Sequence, residues 1–139
     1  MVISSENKLE NLTKNTVEKY IHKFENYKLD QADNEVLNLA INTNLYLNDN
    51  QPWLLIKEKD NLPLVKEIIY NVLERTRIIG LLLVPLLPKL SSKINEQLGA
   101  IYSEEISWRN QLCWGLLKSD SSLPKPTPII TKLDYDQNI

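Results

Sequence analysis

Asn44-Leu45-Tyr46-Leu47-Asn48-Asp49-Asn50-Gln51-Pro52-Trp53 is the stretch that decides the fold. An apolar pattern of Ala32, Val36, Leu39, Ala40 and Leu47 runs into it, at the spacing that places side chains on one helix face. Asn48-Asp49-Asn50-Gln51 then breaks the pattern, because Asn and Asp side chains compete for backbone hydrogen bonds. Pro52 suits the first position of a new helix, where its missing N–H has no intrahelical acceptor. That helix, Pro52 to Ile56, is short, since Lys57-Glu58-Lys59-Asp60 follows at once. The stretch reads as a corner between two helices, with Trp53 on the first turn beyond it.

Upstream, Ser4 or Ser5 is placed to cap a first helix. Leu9, Leu12, Val17, Tyr20, Ile21 and Phe24 form its apolar stripe, and Lys8, Lys14, Glu18, Lys19 and Glu25 its polar face. The helix is expected to end near Tyr27 or Lys28, and Asp30 to cap the next one. Asn38 and Asn42 read as solvated positions on that second helix.

Downstream, Asn61 is expected to cap a long helix with Pro63 in its first turn. The first half is amphipathic, with Lys66, Glu67, Glu74 and Arg75 as its polar face. The second half, through Ile78, Ile79, Leu81, Leu82 and Leu83, is apolar all round and belongs at the centre of a bundle. Pro85 kinks or ends it. Pro88 restarts a helix bearing Leu90, Ile94 and Leu98, which Gly99 stops. Beyond Gly99 the periodicity fades. A tail is expected to run over the bundle, anchored by Trp108 and Trp114, with a short extended segment from Ile129 to Leu133. The expected architecture is all-α: one domain over 1–139, an antiparallel helical bundle over 5–99 and an irregular C-terminal tail over 100–139.

Composition fits this. The chain has 139 residues, suited to one core, and only 3 Gly against 7 Pro, which favours helices over a turn-rich sheet. A net charge of -2 gives no global attraction to nucleic acid, so any such binding must come from a local surface. The single cysteine, Cys113, excludes an internal disulfide and a multi-cysteine metal site. The longest apolar run, Ile78 to Leu87, is too short to span a membrane and contains Gly80 and Pro85. Met1 to Glu10 lacks the apolar core of a secretion signal. A cytoplasmic protein with no membrane partner is expected.

No catalytic constellation is visible. His22 is the lone histidine, without a Ser, Cys or paired carboxylate in a recognisable motif. There is no phosphate-binding Gly-rich loop, zinc spacing or nucleophile elbow. Catalytic and metal-ligating residues are expected to be absent, as are bound cofactors.

At Pro52-Trp53 a family resemblance emerges. Asn44, Tyr46, Pro52, Trp53 and Lys57 are spaced as in the anticodon-binding domain of methionyl-tRNA synthetase, a class I aminoacyl-tRNA synthetase. Arg77 before Leu82-Leu83-Val84-Pro85-Leu86-Leu87-Pro88 is similar to the family's Arg, apolar run and paired prolines. Ser92, Ile94, Gln97, Leu98 and Gly99 resemble the helix that follows. Trp108, Leu116 and the segment Pro126 to Leu133 resemble the closing tail. Together these cover nearly the whole chain.

The resemblance implies a helical bundle appended to a nucleotide-binding catalytic domain. The parent enzyme joins methionine to its tRNA using ATP and Mg²⁺. Its His-x-Gly-His and Lys-Met-Ser-Lys-Ser signatures are absent here; Lys89-Leu90-Ser91-Ser92-Lys93 is a decoy that starts a helix. The implied partners are the anticodon loop of the methionine tRNA and the catalytic domain of the same enzyme. The implied RNA-binding residues are Trp53 as a base-stacking platform, Pro52 fixing the turn, Asn44 and Asn48 beside it, and Lys57 meeting a phosphate. The family also uses an Asn and an Arg from a preceding helix, and this chain is expected to begin after that helix and to bind RNA weakly alone. Arg77 is assigned to an ion pair or carbonyl contact, and Tyr46, Trp108 and Trp114 to packing. The alternative is a helical module that docks a protein through exposed Leu and Ile on the two helices after Pro63 and Pro88, with Trp53 buried as a clamp.

Overall fold

The computed structural model describes residues 5–99 and 101–118. Ser5, one of the two expected caps, is the first residue of a helix; Ser4 and the extended segment from Ile129 to Leu133 lie outside the described residues. Five α-helices follow in order: α1 (Ser5–Glu25), α2 (Leu29–Asn50), α3 (Pro52–Leu55), α4 (Leu62–Leu83) and α5 (Pro88–Gln97). Single 3₁₀ turns occupy Lys59–Asn61 and Arg109–Leu112, and the described residues contain no strand. α1 and α2 form an antiparallel hairpin that packs on α4, and α5 packs on α4 from another side. This is the all-α bundle that the apolar spacing predicts.

The hairpin closes without a glycine. Tyr27 takes the left-handed conformation at φ 60°. The Tyr27 N–H donates to the Phe24 carbonyl (3.1 Å) and the Lys28 N–H to the Lys23 carbonyl (2.9 Å). That pair of bonds caps the last carbonyls of α1, a geometry glycine adopts with less strain. α2 begins at Leu29 with Lys28 as its N-cap, so Asp30 lies in the first turn rather than capping it.

α2 also runs further than its sequence predicts. It continues to Asn50, so Asn44 and Asn48 sit within the helix and the break falls on Gln51 alone. Packing outweighs the weak helix propensity of Asn: Ala32, Val36, Leu39 and Thr43 are buried along the inner face.

α4 is the axis of the bundle. Val65, Ile68, Ile78, Leu81, Leu82 and Leu83 are buried on it. Its expected polar face is corrected in part: Glu74 and Arg75 are fully buried, at 0% exposure. Each is held in a hydrogen-bond network, as a buried charge requires. Glu74 and Arg77 form one knot. Arg77 Nε donates to Glu74 Oε2 (2.9 Å) and Arg77 Nη2 to Oε1 (2.5 Å). The same guanidinium donates to the carbonyls of Gln111 (2.5 Å) and Cys113 (2.7 Å). Glu74 in turn accepts the N–H groups of Gly115, Leu116 and Leu117. The knot ties residues 111–117 to the middle of α4.

The end of α4 follows from Pro85. Proline has no N–H for the Leu81 carbonyl four residues back. That carbonyl accepts from the indole Nε1 of Trp108 (2.5 Å) as well as from Val84 N–H (3.2 Å). The Leu86 N–H turns to Leu83 (3.1 Å), and the Leu82 carbonyl accepts the Tyr20 hydroxyl (2.6 Å). Burial, with the Asp33 charge adding to it, pushes the Tyr20 phenol up to about 12, so the hydroxyl stays a donor.

Gly80 admits close neighbours. A Cβ there would lie 1.9 Å from the Tyr102 hydroxyl and 2.9 Å from Ile94. Its carbonyl accepts from Ser91 Oγ of α5 (2.7 Å). α5 starts at Pro88, carries the Lys89–Lys93 decoy in its first turns, and ends before Gly99, whose φ is 99°.

Candidate nucleic-acid interface

Gln51 makes the corner. It is the C-cap of α2 and the N-cap of α3, in the left-handed region at φ 45°. That is unusual twice over, for a side chain with a Cβ and for a residue before proline. Its N–H donates to Leu47 (3.1 Å), and its carbonyl accepts from Leu54 (3.0 Å) and Leu55 (3.2 Å). Pro52 is the buried first residue of α3. The corner thus lifts Trp53 outward: its side chain is 51% exposed, so it is not a buried clamp. Helical turns continue from Ile56 to Glu58 through their N–H bonds to Pro52, Leu54 and Leu55. Lys57 therefore stands one turn beyond Trp53, fully on the surface. Asn44 and Asn48 are exposed, one turn apart on α2.

A hollow of about 260 Å³ opens at this same end of the bundle, between the start of α1 and the end of α2. Lys8, Leu9 and Leu12 line it from α1, and Asn42, Leu45, Tyr46 and Asp49 from α2. Leu12, expected in the core stripe, is 43% exposed there. Thr13 takes its place inside, at 1% exposure.

Beneath the hollow lies a polar layer. Arg75 Nη1 donates to Asn42 Oδ1 (2.7 Å) and at longer range to Thr43 Oγ1 (3.5 Å), while Nε donates to Thr13 Oγ1 (3.1 Å). Asn71, one turn earlier on α4, donates from Nδ2 to the Tyr46 hydroxyl oxygen (3.2 Å). Among the described residues no carboxylate partners Arg75. Burial alone lowers its guanidinium to about 10, with Tyr46 acting in the opposite sense. Among the described residues, the buried Arg75 Nη2 and Asn71 Oδ1 find no hydrogen-bond partner.

Asn42 is exposed, as its solvated reading expects, and in addition one arm of its carboxamide accepts from a buried cation. A signal existed: Val65, Ile68, Asn71, Arg75, Ile78 and Leu82 continue one stripe at three-to-four spacing. Following that stripe through its polar positions places Asn71 and Arg75 indoors. The surface expected for a protein-docking module is mostly used internally, because Ile68, Ile78, Ile94 and Leu98 are buried.

Among the described residues there is no cluster of three or more His, Cys, Asp or Glu side chains able to hold a metal, and no helix long and apolar enough to cross a membrane. His22 is exposed at the end of α1.

Comparison with known proteins gives these features their setting. Residues 2–138 match the family described as the anticodon binding domain of methionyl tRNA ligase. The methionine–tRNA ligase of Synechocystis is 31% identical over 142 residues, covering 95% of this chain and 26% of that protein. The Nostoc methionine–tRNA ligase is also 31% identical, covering 99% of this chain and 27% of that protein. The apo crystal structure of Mycobacterium tuberculosis methionyl-tRNA synthetase shares the fold, with a TM-score of 0.80 over 93% of this chain and 26% of that one, at 22% identity. The fold and its corner define an all-α anticodon-binding domain of the synthetase kind. The chain belongs to the methionyl-tRNA ligase anticodon-binding family. It spans about a quarter of the length of these relatives.

Proposed function

We propose that this chain reads the anticodon loop of a methionine tRNA, with Trp53 as a stacking platform for an unstacked base. The half-exposed indole on a turn fixed by Pro52, in a chain of this family, is the observation that carries the reading. RNA loops are read by splaying bases onto aromatic faces, and each such stack is worth roughly 1–3 kcal/mol. Lys57 meets a loop phosphate one turn away. Asn44 and Asn48 offer amide groups to base edges from the end of α2. Methionine transfer, with its ATP and Mg²⁺, belongs to the catalytic domain of the parent ligase in the cytoplasm; this chain positions the tRNA for it.

The test is a fluorescence anisotropy titration of a methionine-tRNA anticodon stem-loop. Trp53→Ala is expected to weaken binding about tenfold, with the circular dichroism spectrum unchanged. Equal affinity for wild type and variant overturns the stacking role.

A further inference from the structure

We infer that the outer face of α2 is a docking surface for a second copy of this chain, paired antiparallel about a two-fold axis at Ile41. The pairing is independent of the RNA-reading role.

The face is unlike the surface beside it. α2 packs on α1 and α4 along Ala32, Val36, Leu39 and Thr43. Its outward side carries Leu37, Ile41 and Leu45, one turn apart and each more than half exposed. Between Glu35 and Asp49 the helix has no charged residue, and its other exposed positions there are Asn38, Asn42, Asn44 and Asn48. The outward side of α1 is ordinary by contrast, with Lys14, Glu18 and Lys19 exposed. Apolar anchors with no charge among them have the composition of an interface core.

The order of these residues identifies the occupant, because it reads the same in both directions from Ile41. Asn38 and Asn44 stand three residues either side of it, Leu37 and Leu45 four, and Asn34 and Asn48 seven. A two-fold axis across an antiparallel helix pair brings each residue after the centre level with the one equally far before it in the other copy. A patch with that symmetry is complementary to itself. Leu37, Ile41 and Leu45 form one ridge of four-residue steps, and two such ridges interlock at a crossing angle of about −50°. Leu37 then meets the partner's Leu45, and Ile41 meets its own copy. Asn38 and Asn44 flank the ridge, and a carboxamide, with two donors and an acceptor, bonds readily to another. Asp33 and Asp49 obey the same symmetry at eight residues, so like charges end the two ridges. Eight residues of helix turn a side chain about 80° from the contact line and carry it about 12 Å from the centre, so these carboxylates point to opposite flanks, into solvent. Leu45 also borders the hollow with Leu9 and Leu12, which carries the apolar surface onto α1. A single helix crossing is small, so the pairing is weak and concentration-dependent. It covers Asn44 and Asn48, and a paired chain withholds from RNA the two amides assigned to it above.

The test is sedimentation equilibrium of the 139-residue chain, without RNA, from about 10 µM to about 1 mM. The average mass is expected to climb from one chain towards two as concentration rises. Ile41→Asp sets two carboxylates together on the two-fold axis and is expected to weaken pairing at least about tenfold. Ile41 is mostly exposed, so the circular dichroism spectrum should not change. Leu37→Lys and Leu45→Glu each weaken pairing alone, and mixing the two variants restores it, because the antiparallel register brings position 37 of one copy level with position 45 of the other. A chain that stays monomeric throughout overturns the inference, as does self-association that survives Ile41→Asp. A mixture of the two charge variants no more associated than either alone overturns it as well.

Discussion

Arg75 and Arg77 stand two residues apart on one helix and are both buried, yet they do different work. Arg77 faces the 111–117 segment and has an acceptor at each of its three nitrogens: a carboxylate held at two points and two backbone carbonyls. Arg75 faces α1 and α2 and, among the described residues, has only neutral oxygens as partners, with none for Nη2. Two residues of helix amount to about 200° of rotation, enough to send the two side chains to opposite flanks. The difference teaches what makes a buried charge tolerable. A charge with an acceptor at every nitrogen is a tie within the fold. A charge short of acceptors, as Arg75 is, carries a desolvation cost that its partners do not offset.

The largest expected effect breaks the Arg77 side. Glu74→Ala leaves the Arg77 guanidinium uncompensated and three N–H groups of residues 115–117 without their acceptor. Removing one member of such a pair costs about 3–5 kcal/mol. Urea unfolding should register that loss, and a change below about 1 kcal/mol would show the knot to be expendable. The Arg75 side should respond in the opposite direction. Arg75→Met removes a desolvated cation and keeps its bulk, so stability should hold or rise by about 1–4 kcal/mol. A strong destabilisation in the same urea experiment would put Arg75 in the same class as Arg77.

The smallest effect applies the distinction to the backbone. Tyr27 and Gln51 both adopt left-handed conformations. Tyr27 merely joins α1 to α2, and its side chain is 91% exposed. Tyr27→Gly should therefore stabilise by about 0.5–1 kcal/mol, seen as a raised melting temperature with RNA binding unaltered. Gln51 aims Trp53, so under the stacking proposal Gln51→Gly is expected to weaken RNA binding, which Tyr27→Gly leaves alone.

The fold was legible because helix burial follows a period. The stripes of Val17 and Tyr20, of Val36 and Leu39, and of Ile78 to Leu83 all face inward as their spacing demands. The corner was legible because Pro52 can stand only at a few helix positions, and Trp53 must follow it. Arg77 was legible as an ion-pair or carbonyl ligand, and it is both. Glu74 and Arg75 were assigned to the polar face, since a polar letter inside an amphipathic pattern is assigned to water by default. What overrides the default is a partner from elsewhere in the chain: the backbone of 115–117 for Glu74, and Thr13 and Asn42 for Arg75. The extent of α2 was missed for a related reason, because the asparagines near its end are carried by packing on the other face.

Pro85 has one more consequence. By ending α4 it leaves a two-pronged socket, the carbonyls of Leu81 and Leu82, and the plugs are Trp108 from the segment after α5 and Tyr20 from α1. Those two rings lie 6.2 Å apart, tilted against each other. The socket therefore works as an alignment gauge: α1 can slide neither up nor down α4 without vacating one prong, and the chain beyond α5 is indexed to the same mark. The register of three distant segments is read off one imino acid.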